Sequence, residues 1–275
     1  MTAGRTSVAL AVMLASLGCA SASGPNIPDR DVESLRRTLT LGAPFNHGVS
    51  YLRAGDALGP RVILVHGTPG SGKSWGEYLL DPPAGVEMLA LDRPGFGMSG
   101  PQDAVTSLAA QAAAVIALLP ADGRRAILVG HSSGGPIVAW VAAQHPARVA
   151  ALVLLAASTD PQLESIHPMQ YVGALWPISA LLPRTIRNSN AELIALKPEL
   201  QALETMLAKV SAPTFILHGT ADPLVPLANV EHQRKHLTGA RCLEVVTLLG
   251  VNHFRPWNSQ NAVRAAIRWA IDAAC

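Results

Sequence analysis

The segment Ala126-Ile-Leu-Val-Gly-His-Ser-Ser-Gly-Gly135 constrains this chain more than any other. Its four apolar residues predict a buried strand, and Gly130-His131-Ser132-Ser133-Gly134 then fits the pattern Gly-x-Ser-x-Gly. Two glycines allow a turn so tight that the serine between them is strained and its hydroxyl is held exposed. The following Pro136-Ile-Val-Ala-Trp-Val-Ala-Ala-Gln144 reads as a helix. The start of that helix would lie under the serine, where free N–H groups and the positive dipole end suit a developing oxyanion. A chain with 23 glycines can produce the pattern by chance, so the remaining parts of a catalytic machine must be sought elsewhere.

They occur downstream in a definite order. Pro213-Thr-Phe-Ile-Leu-His218 reads as a strand and leads to Asp222, which Pro223 and Pro226 brace. Leu243-Glu-Val-Val-Thr-Leu-Leu249 reads as the last strand, with His253 just beyond it. Serine, acid, histidine is an order found in one of the three unrelated scaffolds that carry this triad. Together with Asp92-Arg-Pro-Gly-Phe-Gly-Met-Ser99 and His218-Gly-Thr-Ala-Asp-Pro-Leu-Val-Pro226, these segments resemble the signatures of α/β-hydrolases, from roughly Phe45 onwards.

The resemblance implies an α/β fold, a mainly parallel central sheet with helices on both faces and a small helical cap. It implies Ser132 as nucleophile, His253 as base and Asp222 as the acid that orients it, with Asp160 as an alternative acid. His66-Gly67-Thr68-Pro69-Gly70 resembles the loop that supplies half of an oxyanion hole. The backbone N–H groups of Thr68 and Ser133 are then its two donors. The implied activity is cleavage of carboxylic esters through an acyl-enzyme, without metal or organic cofactor. An amidase or aminopeptidase, a carbon–carbon bond hydrolase and a catalytically idle binding protein are the alternatives on this scaffold. Serine at the elbow argues against the dehalogenase and epoxide hydrolase relatives, which use aspartate there.

A second motif competes. Gly67-Thr-Pro-Gly-Ser-Gly-Lys73-Ser74 satisfies the Walker A pattern after a strand-like Arg61-Val-Ile-Leu-Val65, and Asp92 ends a segment resembling Walker B. Successive N–H groups and Lys73 could cradle a phosphate. Against it stand the short helix that Pro82-Pro83 permits and the failure to account for Ser132, Asp222 and His253.

The N-terminal residues predict export. A basic start to Arg5 and the apolar run Ser7–Gly18 are too short for a spanning helix but suit a signal. Cys19 is placed as in a lipoprotein, and Ala20-Ser21-Ala22 offers an ordinary cleavage site. The expected organisation is signal and linker over 1–22, lead-in over 23–44 and hydrolase domain over 45–275, in the periplasm or on the outer membrane. A lipid on Cys19 would be the membrane attachment. Strand and closing helix have nearly equal lengths at ~3.3 and ~1.5 Å per residue, which brings Cys242 and Cys275 to one end. A disulfide there should stabilise by about 3–4 kcal/mol.

Composition excludes some partners. A net charge of +2 with 15% charged residues and no basic run gives no footprint for nucleic acid; the small ester or amide expected as partner is what the resemblance implies. Strand rhythm lapses over 159–210, the predicted cap. Its apolar residues, Trp176 among them, are expected to shape a pocket with Trp75, Phe96 and Met98. Among nine histidines, His47, His145, His167, His232 and His236 lack a motif and are expected at the surface.

Overall fold

The computed structural model describes residues 29–253 and 258–272. The segment expected to be an export signal, Cys19 and Cys275 lie outside the described residues. Eight strands form one sheet: β1 (Arg36–Thr40), β2 (Gly48–Gly55), β3 (Arg61–Val65), β4 (Glu87–Leu91), β5 (Ala126–His131), β6 (Val149–Leu155), β7 (Thr214–Gly219) and β8 (Leu243–Leu248). Their spatial order is β1-β2-β4-β3-β5-β6-β7-β8. Only β2 runs against its neighbours; every other pairing is parallel.

The central strands are buried on both faces, which is why they read as unbroken apolar runs. One face packs on α3 (Leu108–Leu118) and α4 (Gly134–Gln144). The other packs on α2 (Gly76–Leu80) and α9 (Gln260–Ile271). The short helix α1 (Asp29–Glu33) precedes the sheet. Strand β1 falls within the lead-in that the sequence reading left outside the domain. Its Arg36-Arg37-Thr38 start is too polar to look like a strand, yet charge on an edge strand blocks unwanted pairing.

Register brings the working loops to one edge. Val65 pairs with Gly130, Gly130 with Leu154, Leu155 with Leu217 and Gly219 with Leu248. The loops after β3, β5, β6, β7 and β8 therefore open along the same carboxyl edge, where open α/β sheets bind ligands.

No strand occurs over 159–210, all of it described. This stretch holds α5 (Pro168–Ala174), α6 (Ile178–Leu181) and α7 (Arg184–Glu204), and α8 (Ala228–His236) follows β7. Among the described residues no helix is long and apolar enough to cross a membrane.

Candidate active site

Strand β5 passes into α4 through an elbow that explains both glycines. Ser132 sits at φ 53°, a left-handed conformation that is strained for a residue with a side chain. A Cβ on Gly130 would lie 2.5 Å from the Gly134 oxygen and from Val138. One on Gly134 would lie 2.5 Å from the Val65 carbonyl oxygen of the neighbouring strand. Side chains at either place would push the helix off the sheet. The turn is held by Ser132 N–H donating to Leu155 O at 2.9 Å and Gly135 N–H donating to Ser132 O at 2.9 Å.

Asp222 is buried beyond β7 and its carboxylate is fully engaged. One oxygen accepts from the N–H groups of Leu224 and Val225, each at 2.9 Å, and the other lies 2.7 Å from His253 Nδ1. Burial opposes ionisation, but the hydrogen bond and charge of His253, with the two backbone donors, hold the carboxyl below its ordinary range. With Nδ1–H donating to Asp222, the other nitrogen of His253 is left as an acceptor. The His253 ring stands 5.3 Å from that of His131, the residue before Ser132. Asp160, the alternative acid, instead caps its own turn: its carboxylate accepts from Gln162 N–H at 2.8 Å.

The loop after β3 carries Thr68. Its hydroxyl donates to Ser189 Oγ at 2.9 Å, and Ser189 donates to Thr185 O at 2.7 Å, which ties the loop to α7. His66 is buried beneath it, with Nδ1 2.6 Å from Gly67 O and Nε2 accepting from Arg93 N–H at 3.1 Å. That pairing requires the neutral ring with its proton on Nδ1. Burial first, and the nearby Arg93 charge second, lower its pKa well below the ordinary histidine value.

Residues that the sequence reading missed lie against this loop. The Arg93 guanidinium forms a buried bidentate pair with Glu192 of α7 at 2.8 and 3.0 Å, and Gln111 Nε2 donates to the same carboxylate at 2.9 Å. Thr68, Arg93, Gln111, Ser133, Ile137 and Glu192 line a cavity of about 20 Å³, enough for one water or a small substituent. Among the described residues, Ser133 Oγ, Arg93 Nε and Gln111 Oε1 are buried there without a partner. Arg93 stands in the quoted Asp92-Arg-Pro-Gly motif, so half of the pair was in view; Glu192 had no motif.

The pocket expectations need correction. Trp75 is fully buried on the α2 and α9 face of the sheet, edge-on to Tyr78 at 5.6 Å. Phe96 is also fully buried, packed edge-on against His66 and under the Arg93 guanidinium. Met98 and Trp176 are 71% and 82% exposed and enclose nothing. The expected surface position of His232 is overturned as well, because Glu204 and Thr159 cover it.

The Walker-like residues are engaged elsewhere. Lys73 pairs with Glu33 at 2.6 Å and Asp29 at 3.1 Å. Asp92 is fully buried and accepts from Gly72 N–H, Met98 N–H and Arg36.

A family model described as alpha/beta hydrolase fold matches residues 60–180. The chain is 40% identical to a non-heme chloroperoxidase of Streptomyces lividans, over 62% of this chain and 79% of that one. A monoacylglycerol lipase of Paleococcus ferrophilus superposes with a TM-score of 0.67 at 19% identity, over 82% of this chain and 99% of that one. An esterase from Rhodococcus sp. ECU1013 gives a TM-score of 0.63 at 22% identity, over 86% and 98% of the two chains.

Proposed function

Because the chain belongs to the α/β-hydrolase fold family, we propose that it is a serine hydrolase that cleaves carboxylic esters through Ser132, His253 and Asp222. The observation that carries this reading is the strained φ of Ser132 at an elbow beside a histidine already oriented by a buried carboxylate. Such strain persists where the surrounding structure enforces it, and it lifts the nucleophile clear of the sheet.

Each step has a group to perform it. Ser132 Oγ attacks the ester carbonyl as its proton passes to His253 Nε2. The Asp222 carboxylate keeps the proton on Nδ1 and stabilises the imidazolium. The negative charge on the former carbonyl oxygen is met by the N–H groups of Thr68 and Ser133, aided by the positive end of α4. His253 then gives its proton to the leaving alcohol. Water, deprotonated by the same histidine, releases the acid and restores Ser132.

The cavity beside Thr68 and Ser133 is small, which favours esters with a short acyl group. Its unpartnered polar atoms favour one that carries a hydrogen-bonding substituent. One relative is a non-heme chloroperoxidase, and an amidase stays the alternative on this scaffold, but no geometry in this site selects either reading. The engaged Lys73 and Asp92 speak against nucleotide binding.

Fluorophosphonate labelling of the purified chain, beside Ser132→Ala and with p-nitrophenyl ester turnover in parallel, tests the reading. Labelling and turnover that vanish together in the variant support it. Folded wild type that does not label overturns it.

The reading includes export, with acylation of Cys19 and a Cys242–Cys275 disulfide. The intact mass of the protein isolated from bacterial membranes tests both: it should carry lipid on a new N-terminal cysteine and the mass deficit of one disulfide.

A further inference from the structure

We propose that Glu204, His232 and His236 form a site for a divalent transition metal, zinc by its donor chemistry, which ties the end of α7 to α8. His232 and His236 are four residues apart on α8 and so share one helix face. Their rings stack at 4.4 Å with planes 23° apart. Both Nε2 atoms converge on a single oxygen of Glu204, at 3.1 Å for His232 and 3.4 Å for His236. One potential ligand atom from each of the three residues lies within 4.8 Å of the other two.

These separations match a metal polyhedron. With zinc bonds of ~2.0–2.1 Å, the edge of a tetrahedron is about 3.3 Å, close to both measured distances. Two imidazoles and one carboxylate suit Zn²⁺, and also Ni²⁺ or Cu²⁺, better than the oxygen-seeking Mg²⁺ or Ca²⁺. Three protein ligands would leave the fourth position to water.

The surroundings support the ligands. His232 Nδ1 lies 3.4 Å from Thr159 Oγ1, which itself accepts from Gln233 Nε2 at 3.1 Å. A proton held on Nδ1 by that contact frees Nε2 to bind metal, the usual arrangement behind a ligating histidine. His232 is buried, while the side chains of His236 and Glu204 are 26% and 33% exposed, which gives an ion a way in.

Position gives the site its meaning. None of the three ligands belongs to the triad or lines the cavity beside it. Glu204 is the last residue of α7, the helix that holds Ser189 against Thr68 and Glu192 against Arg93. Helix α8 follows the loop of Asp222. A bound ion would therefore fasten the cap helix to the segment behind the catalytic acid, as a structural clasp rather than a catalytic centre.

The test uses metal-stripped full-length protein without an affinity tag, titrated with zinc chloride near neutral pH by calorimetry and by thermal melting. One zinc per chain with micromolar or tighter affinity, and a melting temperature that rises and falls back with chelator, is the expected result. Magnesium chloride should leave the melt unchanged. His236→Gln should fold, retain ester turnover and lose both zinc binding and the thermal shift, and Glu204→Gln should bind more weakly. No zinc binding by the wild type, or equal binding by His236→Gln, overturns the proposal.

Discussion

The two parts of the cap are built in opposite ways. Helix α7 is fastened to the body by polar anchors: Arg184 donates to the carbonyls of Gly97, Ser99 and Pro101. Asn188 donates to Gly95 and Gln102, and Glu192 receives Arg93. Helix α6 and the turn that joins it to α5 instead carry large apolar side chains outward, with Leu175 60%, Trp176 82% and Leu181 83% exposed. Directional bonds to main-chain oxygens fix α7 on the body in position and orientation, whereas α5 is held to α7 itself, through Asn190 Nδ2 donating to Gln170 O at 2.8 Å. The part of the cap that frames the chemistry and the part that meets bulk surroundings are thus separate pieces. Substitutions should affect them differently.

The largest effect falls on the chemistry beneath both parts. Ser132→Ala should lower ester kcat by roughly 10⁴-fold or more, with an unchanged melting temperature; comparable turnover in the variant would remove the serine from the mechanism. Glu192→Gln comes next, because it leaves the buried Arg93 charge without its counter-ion. A loss of about 3–5 kcal/mol is expected in denaturant unfolding, and a loss below the error of the fit would show that α7 does not depend on this anchor.

Acid should act on the same framed region, at smaller scale. Burial lowers the pKa values of His66 and His218, opposed at His218 by Val225 and Asp222. The unfolded chain therefore takes up these protons first. Their contribution is fully present above the unfolded value of about 6.5 and is lost as pH falls below it, with a slope of at most ~1.4 kcal/mol per pH unit for each proton. Asp222 adds to the loss at lower pH, since its depressed carboxyl stabilises the fold only while ionised. Unfolding curves measured downward from neutral pH check this, and a flat profile between neutrality and pH ~5 would contradict it.

The smallest effect belongs to the outer cap. Trp176→Ser should change stability by less than about 0.5 kcal/mol, as for an ordinary surface site, and leave the preference among esters of different chain length unchanged. A cooperative loss of stability would mean that α5 and α6 are anchored to the body after all.

The same contrast governs what could be read from sequence. Strands β3 to β7 were legible because burial on both faces gives each an apolar run, with polar residues only at or near its ends. Ser132 and Asp222 stood out as candidates because each follows such a strand within a few residues, whereas His253 follows the more exposed edge strand β8. Arg93 and Glu192 are 99 positions apart, and no local pattern announces their pairing. Trp75 and Phe96 were read as pocket walls because apolar bulk near a motif looks alike whether it faces a ligand or the core. His232 and His236 were read only as surface histidines, because Glu204, the group they meet, enters from another element and no local pattern announces it.

The hydrogen-bond chain from Thr68 through Ser189 to Thr185 makes the loop after β3 and the helix α7 one mechanical unit. In the proposed mechanism, a displacement of α7 by remote parts of a substrate would be transmitted to the Thr68 backbone N–H, one of the two donors assigned to the reacting oxygen. Groups far from the scissile bond then act on the height of the barrier as well as on residence in the site, so truncating them should lower kcat rather than merely raise KM.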